Sequence, residues 1–207
     1  MSLERVQIKK NKILVVEGKH DEHFFEALLI RLNLRNDIQI IPLNGKHRIR
    51  KKTEALVKLP NFANVTSLGI VRDANNDPLA AFQSVCDALR QANLPVPNQP
   101  LIPKEGHPKV VVMIVPGPNQ PGTLEDVCLR AVQNDPAMSC VNNFFQCISN
   151  TGSPLPRHFS KAKVQVFLAS KDDPDGPTPH VGIAAKRGYW QFNDRAFNEI
   201  NKFLRSI

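Results

Sequence analysis

The residues that decide the fold are Lys12 to Asp21, which read KILVVEGKHD. Four of them, Ile13 to Val16, are consecutive aliphatic residues, a run typical of a strand buried on both faces of a parallel sheet. Gly18 permits a tight turn at the end of that strand. Glu17 is therefore predicted to lie at the carboxyl end of a strand, where open α/β sheets bind their ligands.

A helix is predicted directly after this turn, because apolar residues recur at helical spacing, namely Phe24, Phe25, Leu28, Leu29 and Leu32. Asp21 falls in the first turn of that helix. A carboxylate in this position is explained equally well by the helix dipole or by ligand binding. Packing explains Glu17 less well, because charged residues are seldom buried for packing alone.

A second acidic turn follows the predicted strand Thr66 to Asp73. The side chains of Asp73, Asn75 and Asp77 alternate along the turn, and oxygen ligands at every second position suit a hard cation such as Mg²⁺. Asp77 stands directly before Pro78, however, and this pair is also typical of a helix cap. For Asp77 taken alone, the capping role is the better interpretation.

A third acidic turn follows the predicted strand Lys109 to Val115 and contains Glu125 and Asp126. Thr123 and Asp126 have the spacing of a helix capping pair, a role that does not require Glu125. Three acidic clusters thus follow three core strands, and a parallel sheet would bring all three to one edge.

The pattern as a whole predicts an α/β fold with a mainly parallel sheet of about four core strands flanked by helices, since Ile38 to Ile41 adds one more strand. Residues 1–132 are expected to form this core and to include a long proline-rich loop at 94–108. Residues 133–207 are expected to be mainly helical and to pack on the same domain.

Composition narrows the class of protein. The chain has 207 residues, is 42% hydrophobic and carries a formal net charge of +8. Its length and apolar content suffice for a proper core, and the basic charge favours polyanionic partners such as nucleic acid. No apolar run approaches the roughly 18 residues that span a bilayer. We therefore expect a cytoplasmic protein with no membrane partner, either monomeric or homo-oligomeric.

Part of the positive charge is concentrated in the predicted helix from Lys46 to about Leu59. Its basic residues include Lys46, Arg48, Arg50, Lys51 and Lys52. Such a helix is explained by a solvated surface over a buried stripe, or by contact with a nucleic-acid backbone. Near the C-terminus, residues 186–190 combine basic and aromatic groups that suit either phosphate contact or packing.

The order of the acidic motifs resembles the Toprim domain of topoisomerases, bacterial primases and OLD-family nucleases. That family's first motif, a hydrophobic strand ending in Glu-Gly, is matched by Ile13 to Gly18. Its Asp-x-Asp pair is matched at Asp73, but Asn75 replaces the second aspartate. The chain looks nearer to the OLD family than to topoisomerases or primases, because Asp21 corresponds to an additional acid of that branch.

The later motifs of the family are matched too. Its third acidic motif corresponds to Glu125 and Asp126, and its downstream lysine corresponds to Lys163, with Lys161 as the alternative. The chain most resembles small stand-alone Toprim-like proteins of unknown function, in which LED and GYW stretches recur. Lys163 also lies on an apolar helical stripe, where it faces an acidic partner or extends its ammonium to the surface.

The resemblance implies cleavage of phosphodiester bonds or phosphoryl transfer with Mg²⁺ or Mn²⁺ as cofactor. Glu17 would act as a general acid/base or metal ligand, and Lys163 would stabilise charge on the phosphoryl group. The implied metal ligands are Glu17, Asp21, Asp73, Asn75, Asp77, Glu125 and Asp126. The expected function is a nuclease or related phosphotransfer enzyme acting on DNA or RNA. The alternative, favoured by Asn75, is a non-catalytic protein that binds nucleic acid or a protein partner.

Overall fold

The structure, a computed structural model, describes residues 6–43, 49–171 and 180–207. Its four strands are β1 (Lys12–Val16), β2 (Ile38–Pro42), β3 (Ser67–Asp73) and β4 (Lys109–Val115). Its α-helices are α1 (Lys19–Arg31), α2 (Ile49–Val57), α3 (Pro78–Gln91), α4 (Leu124–Ala131), α5 (Ala137–Asn150), α6 (Phe159–Ala169), α7 (Val181–Lys186) and α8 (Asn198–Ser206). The predicted α/β class is confirmed.

The strands form one parallel sheet in the order β2-β1-β3-β4. Lys12 is level with Ile38 on one side and with Ser67 on the other, and Ser67 is level with Lys109. The second strand, β2, lies next to β1 on one side, and the chain then crosses over so that β3 lies next to β1 on the other side. The carboxyl ends of β1 and β3 therefore flank a switch point, where α/β sheets open a crevice for ligands.

Both faces of the sheet are covered because its strands are apolar on both sides. Leu14 and Val16 belong to a core shared with α1 and the C-terminal helices, whereas Ile13 and Val15 belong to a second core shared with α2 and α3. Burial on both faces explains why the aliphatic residues of β1 run without alternation.

The C-terminal helices join the first of these cores. Ile207 is only 3% exposed and lies against β3 at Gly69, where an added Cβ would be 2.3 Å from Cδ1 of Ile207. The absence of a side chain at Gly69 thus lets the end of the chain pack on the sheet. The division of the chain near residue 132 stays a prediction.

The proline-rich segment 94–108 runs along the outer edge of β4. Leu101 donates its backbone N–H to Val112 O (2.8 Å), and Lys104 and Val110 exchange backbone hydrogen bonds. The segment is largely irregular, and it pairs with part of an edge strand that would otherwise be open. None of the helices in the described part of the chain is long and apolar enough to cross a bilayer.

Candidate acidic site at the carboxyl edge of the sheet

The site is built at the carboxyl ends of the two central strands. Glu17 directly follows β1 and Asp73 is the last residue of β3, and these strands are neighbours in the sheet. Both side chains are partly buried. The parallel pairing alone brings these acids to one edge, as the sequence predicted.

Asp21 adds a third carboxylate from the first turn of α1. Its Oδ2 accepts a hydrogen bond of 2.9 Å from the backbone N–H of Gly18. Burial raises the pKa of Asp21 to about 6, and the charges of Glu17 and Glu125 act in the same direction. Asp21 therefore caps its helix and also interacts electrostatically with the acids around it.

Asp73 contributes a further partly buried carboxylate from the end of β3. Burial, followed by the charges of Glu17, Asp21 and Glu125, raises the pKa of Asp73 well above its usual value. The backbone N–H of Leu124 donates a hydrogen bond of 3.1 Å to its Oδ1 and partly offsets that shift. The structure thus gathers Glu17, Asp21, Asp73 and Glu125 into one group of mutually repelling carboxylates, which we name the acidic group.

Glu125 is only 9% exposed, and its Oε1 lies 3.7 Å from Nζ of Lys161. Of Lys161 and Lys163, Lys161 is thus the one whose ammonium contacts the acidic group. Lys163 is half-buried on another side of α6, with its Nζ 6.0 Å from the centre of the Phe159 ring. The catalytic role that the resemblance gives to Lys163 stays a prediction.

Arg72 is part of the site although the sequence analysis did not single it out. Its Nε lies 3.9 Å from Oε1 of Glu17, and the side chains are only 17% and 16% exposed. Neither of these two buried atoms has a hydrogen-bond partner in the described part of the chain. The sequence feature that could have identified Arg72 is its place next to the end of a buried strand, because a buried cation requires a nearby acid.

Asn75 and Asp77 have roles in the backbone of the same turn. Asn75 adopts a left-handed conformation (φ 52°) and exchanges two backbone hydrogen bonds with Gly122, of 2.7 and 2.6 Å. Asparagine tolerates this conformation better than most residues, which gives a conformational reason for asparagine at this position. Asp77 is exposed and caps α3 by accepting the N–H of Ala80 at 2.9 Å.

Asp126 forms the predicted capping box at the start of α4. Its Oδ2 accepts the backbone N–H of Thr123 at 2.7 Å, and its Oδ1 accepts the hydroxyl of Ser160. Both oxygens of Asp126 are thus engaged in structural hydrogen bonds. The metal-binding roles predicted for Asn75, Asp77 and Asp126 stay predictions.

The predicted nucleic-acid-binding residues fall partly on α2. Arg50 and Lys51 are exposed and Lys52 is half-buried, whereas Lys46 and Arg48 lie outside the described residues. Ile49, the first residue of α2, lines a small pocket together with Glu17 and Arg72. The start of the basic helix is therefore adjacent to the acidic group.

The aromatic residues near the C-terminus have structural contacts. Trp190 is 2% exposed and donates its indole N–H to Val181 O at 2.9 Å, and the hydroxyl of Tyr189 donates to Lys171 O at 3.1 Å. Of the two interpretations left open for residues 186–190, packing therefore accounts for Trp190.

A group of three histidines, His20, His23 and His180, was not predicted. The ring of His20 on α1 stacks on His180 with centroids 3.8 Å apart, and His23 lies 6.2 Å from His180. Burial lowers the pKa of His180 to about 4, and His20, His23 and Lys186 act in the same direction. Since no sequence spacing relates residue 180 to residues 20 and 23, only the packing of α7 on α1 reveals this group.

The acidic group has the chemistry of a site for a hard divalent cation, because carboxylate oxygens are the ligands that Mg²⁺ and Mn²⁺ prefer. The buried Oε1 of Glu17 has no hydrogen-bond partner among the described residues, and a bound ion would supply one. No three His, Cys, Asp or Glu side chains in residues 6–43, 49–171 and 180–207 are already arranged to hold a metal. Binding would therefore require these carboxylates to change rotamer and converge.

Comparisons with solved structures give two distant matches. Both are the C-terminal region of the Xanthomonas campestris pv. campestris OLD protein, one phased with mercury and one with iodine. The identities are 14% and 12%, the TM-scores are 0.41 and 0.40, and each match covers 97% of this chain and 87% of the other. These matches are too distant to assign an activity.

The sequence comparisons identify a family. No curated protein matches the sequence. A family model described as "Protein of unknown function (DUF3226)" matches residues 11–207, which include every member of the acidic group. The chain therefore belongs to the DUF3226 family.

Proposed function

We propose that the protein is a metal-dependent nuclease, or a related phosphotransfer enzyme, that acts on nucleic acid at the acidic group. The observation that supports this proposal is the mutual repulsion of Glu17, Asp21, Asp73 and Glu125 at the switch point of the sheet. Like charges gathered in a partly buried site destabilise one another unless a cation or protons neutralise them. A divalent cation is the neutralising partner that also supplies phosphodiester chemistry.

The residues of the chain have separate roles in this proposal. Glu17, Asp21, Asp73 and Glu125 would hold one or two Mg²⁺ or Mn²⁺ ions, with Arg72 fixing the orientation of Glu17. The bound metal would neutralise the phosphate and lower the pKa of an attacking water. Lys161, 3.7 Å from Glu125, would stabilise the negative charge that develops on the phosphoryl group.

The basic surface would supply general affinity for the polyanion. The net charge of +8 and the exposed Arg50 and Lys51 at the start of α2 suit contacts with phosphates. Such contacts release counterions, so binding should weaken steeply as salt is added. This dependence distinguishes backbone contacts from recognition of bases.

The test is a cleavage assay with plasmid, linear duplex DNA, single-stranded DNA and RNA in the presence of Mg²⁺ or Mn²⁺. Glu17→Gln and Asp73→Asn should each reduce cleavage by at least about 100-fold while leaving the fold intact, because each removes a charge from the metal site. Glu105→Gln is the matched control, since Glu105 is exposed in the segment beside β4. Cleavage that persists in both folded variants would contradict the proposal.

A second function, binding of nucleic acid without catalysis, is favoured by the neutral Asn75 in the turn after β3. The described residues also hold no ready-made group of three metal ligands. On this alternative, calorimetry should detect no binding of Mg²⁺ or Mn²⁺, and nucleic acid should bind equally well with and without a chelator.

A further inference from the structure

A cleft lies beside the acidic group, between α4, α6 and the loop that follows β4. Its volume is about 440 Å³, within the range of about 300–1,000 Å³ that is usual for small-ligand sites. The residues that give it its chemistry are Gln120, Asp126, Arg130, Phe159, Ser160 and Lys163. We name it the α4–α6 cleft.

The cleft lies next to the acidic group at α4 and α6. On α4, Glu125 belongs to the acidic group and Asp126 lines the cleft. On α6, Lys161 contacts Glu125 whereas Ser160 lines the cleft and donates its hydroxyl to Asp126. A polymer bound at the acidic group would therefore reach the cleft within a short distance.

The charge of the cleft suits a phosphate. Arg130 is held by hydrogen bonds from its guanidinium to Gln120 Oε1 (3.0 Å) and Pro116 O (3.3 Å), yet the residue remains exposed. Lys163 supplies a second cation. The lining holds a single acid, Asp126, against these two cations, so it has a net positive charge.

An exposed aromatic ring stands beside these cations. Phe159 is 39% exposed, although its other contacts fix it in place: its ring packs edge-on against the buried Phe145 at 4.9 Å. Phe144, 47% exposed, packs on Phe145 from a neighbouring position at 5.1 Å. A fixed, exposed ring beside a lysine is a stacking platform for a nucleic-acid base, whose phosphate the cations would hold.

We propose that the α4–α6 cleft binds an unpaired nucleotide of the strand whose phosphodiester lies at the acidic group. The inference rests on the proposed function and deepens it, because it specifies a single-stranded substrate. A base stacked on Phe159 has to be free of its partner strand, since bases within a duplex present only their edges. The amide of Gln120 provides hydrogen-bonding groups at the same wall.

The test measures binding without cleavage. Fluorescence anisotropy with labelled single-stranded DNA, single-stranded RNA and the corresponding duplexes is recorded in a chelator, so that no metal-dependent reaction takes place. The wild-type protein should bind the single strands more tightly than the duplexes. Comparison of the DNA and RNA strands then identifies the preferred sugar.

Three variants examine the cleft itself. Lys163→Gln and Phe159→Ala should each weaken single-strand binding by about tenfold, because one removes a phosphate contact and the other a stacking platform. Phe159→Leu keeps an apolar side chain for the core and should show a similar loss if stacking is the cause. The matched controls are Lys104→Gln and Leu79→Ala, which alter an exposed cation and an exposed apolar residue outside the cleft.

The outcomes separate this inference from the proposed function. Unchanged affinity in folded Lys163→Gln and Phe159→Leu, equal affinity for single and double strands, or no binding at all would overturn the cleft proposal. If metal-dependent cleavage then still requires Glu17, the proposed function stands without it. Single-strand binding that requires Phe159, in a protein that cleaves nothing, supports the cleft and contradicts the nuclease.

Discussion

The backbone N–H of Leu124 donates a hydrogen bond of 3.1 Å to Oδ1 of Asp73. This bond joins the last residue of β3 to the first residue of α4, and the next residue of α4 is Glu125. Asp73 thus fixes the position of Glu125 through Leu124. Asp73 consequently has two roles, since it orients α4 and contributes charge to the acidic group.

We expect the acidic group to destabilise the metal-free protein at neutral pH. The substitution Asp21→Asn should remove part of this destabilisation and so raise the free energy of unfolding. An amide oxygen can still accept the N–H of Gly18, whereas the buried negative charge is lost. The folded-state pKa of Asp21 is raised from 3.8 to about 6, so its contribution to stability is fully present below pH 3.8 and is lost as pH rises through 6. The variant should therefore gain about 1–3 kcal/mol above pH 6 and little below pH 4.

Denaturant unfolding in a chelator, repeated from pH 4 to pH 8, measures this difference. Asp77→Asn is the matched control, because Asp77 also accepts a backbone N–H at the start of a helix but is exposed. A gain in Asp21→Asn that does not vary with pH would show that repulsion among the carboxylates is not its cause. Addition of Mg²⁺ should stabilise the wild type more than Asp21→Asn.

The parts of the site that the sequence predicted are those that follow from strand order. Glu17 and Asp73 could be assigned to one edge because runs of aliphatic residues identified two strands, and parallel strands share their carboxyl edge. The capping pair Thr123 and Asp126 could also be predicted, since it depends only on two residues that are three positions apart in the sequence.

Contacts between distant elements could not be predicted in the same way. Arg72 faces Glu17 because of its register in β3, and His180 reaches His20 only because α7 packs on α1. The backbone bridge between Asn75 and Gly122 joins two loops 47 residues apart in the sequence. No local pattern encodes these pairs, because each depends on how complete elements pack together.

His180 should make the protein less stable in mild acid. Its Nδ1 caps α7 by accepting the N–H groups of Gly182 (3.1 Å) and Ile183 (3.4 Å), and protonation turns this acceptor into a donor. Because the folded-state pKa is lowered from 6.5 to about 4, the stabilising contribution is fully present above pH 6.5 and is lost as pH falls towards 4.

His180→Asn provides the comparison, since asparagine is a good capping residue that does not titrate. The melting temperature of the variant should change less than that of the wild type between pH 7 and pH 4.5. Parallel profiles for the two proteins would mean that folding does not lower the pKa of His180.

Gly182→Ala should separate α7 from α1. An added Cβ would lie 2.5 Å from the carbonyl oxygen of His20 and 2.6 Å from Cβ of His23, and the backbone oxygen cannot move without moving α1. We expect a loss of about 1–3 kcal/mol in the free energy of unfolding, although alanine is normally the better helix former. Gly117→Ala is the control, because its nearest contact would be an ordinary 3.5 Å. Equal stability of the two variants would show that the close helix contact is not required.

The substitution Asn75→Asp tests whether the neutral side chain of Asn75 limits metal binding in the turn after β3. Aspartate also tolerates the left-handed backbone at residue 75, so the bridge to Gly122 should survive. The variant loses the hydrogen bond from Nδ2 to Asp73 O (3.3 Å) and adds a charge, and without metal it should be less stable by about 1 kcal/mol. With Mg²⁺ or Mn²⁺, the added charge should instead tighten metal binding by about tenfold, because each further carboxylate ligand strengthens the site.

Calorimetric titration measures the affinity for the metal. The control is Asn76→Asp, which adds the same charge at an exposed neighbouring residue. An equal effect of the two substitutions would indicate general electrostatics rather than ligation by residue 75.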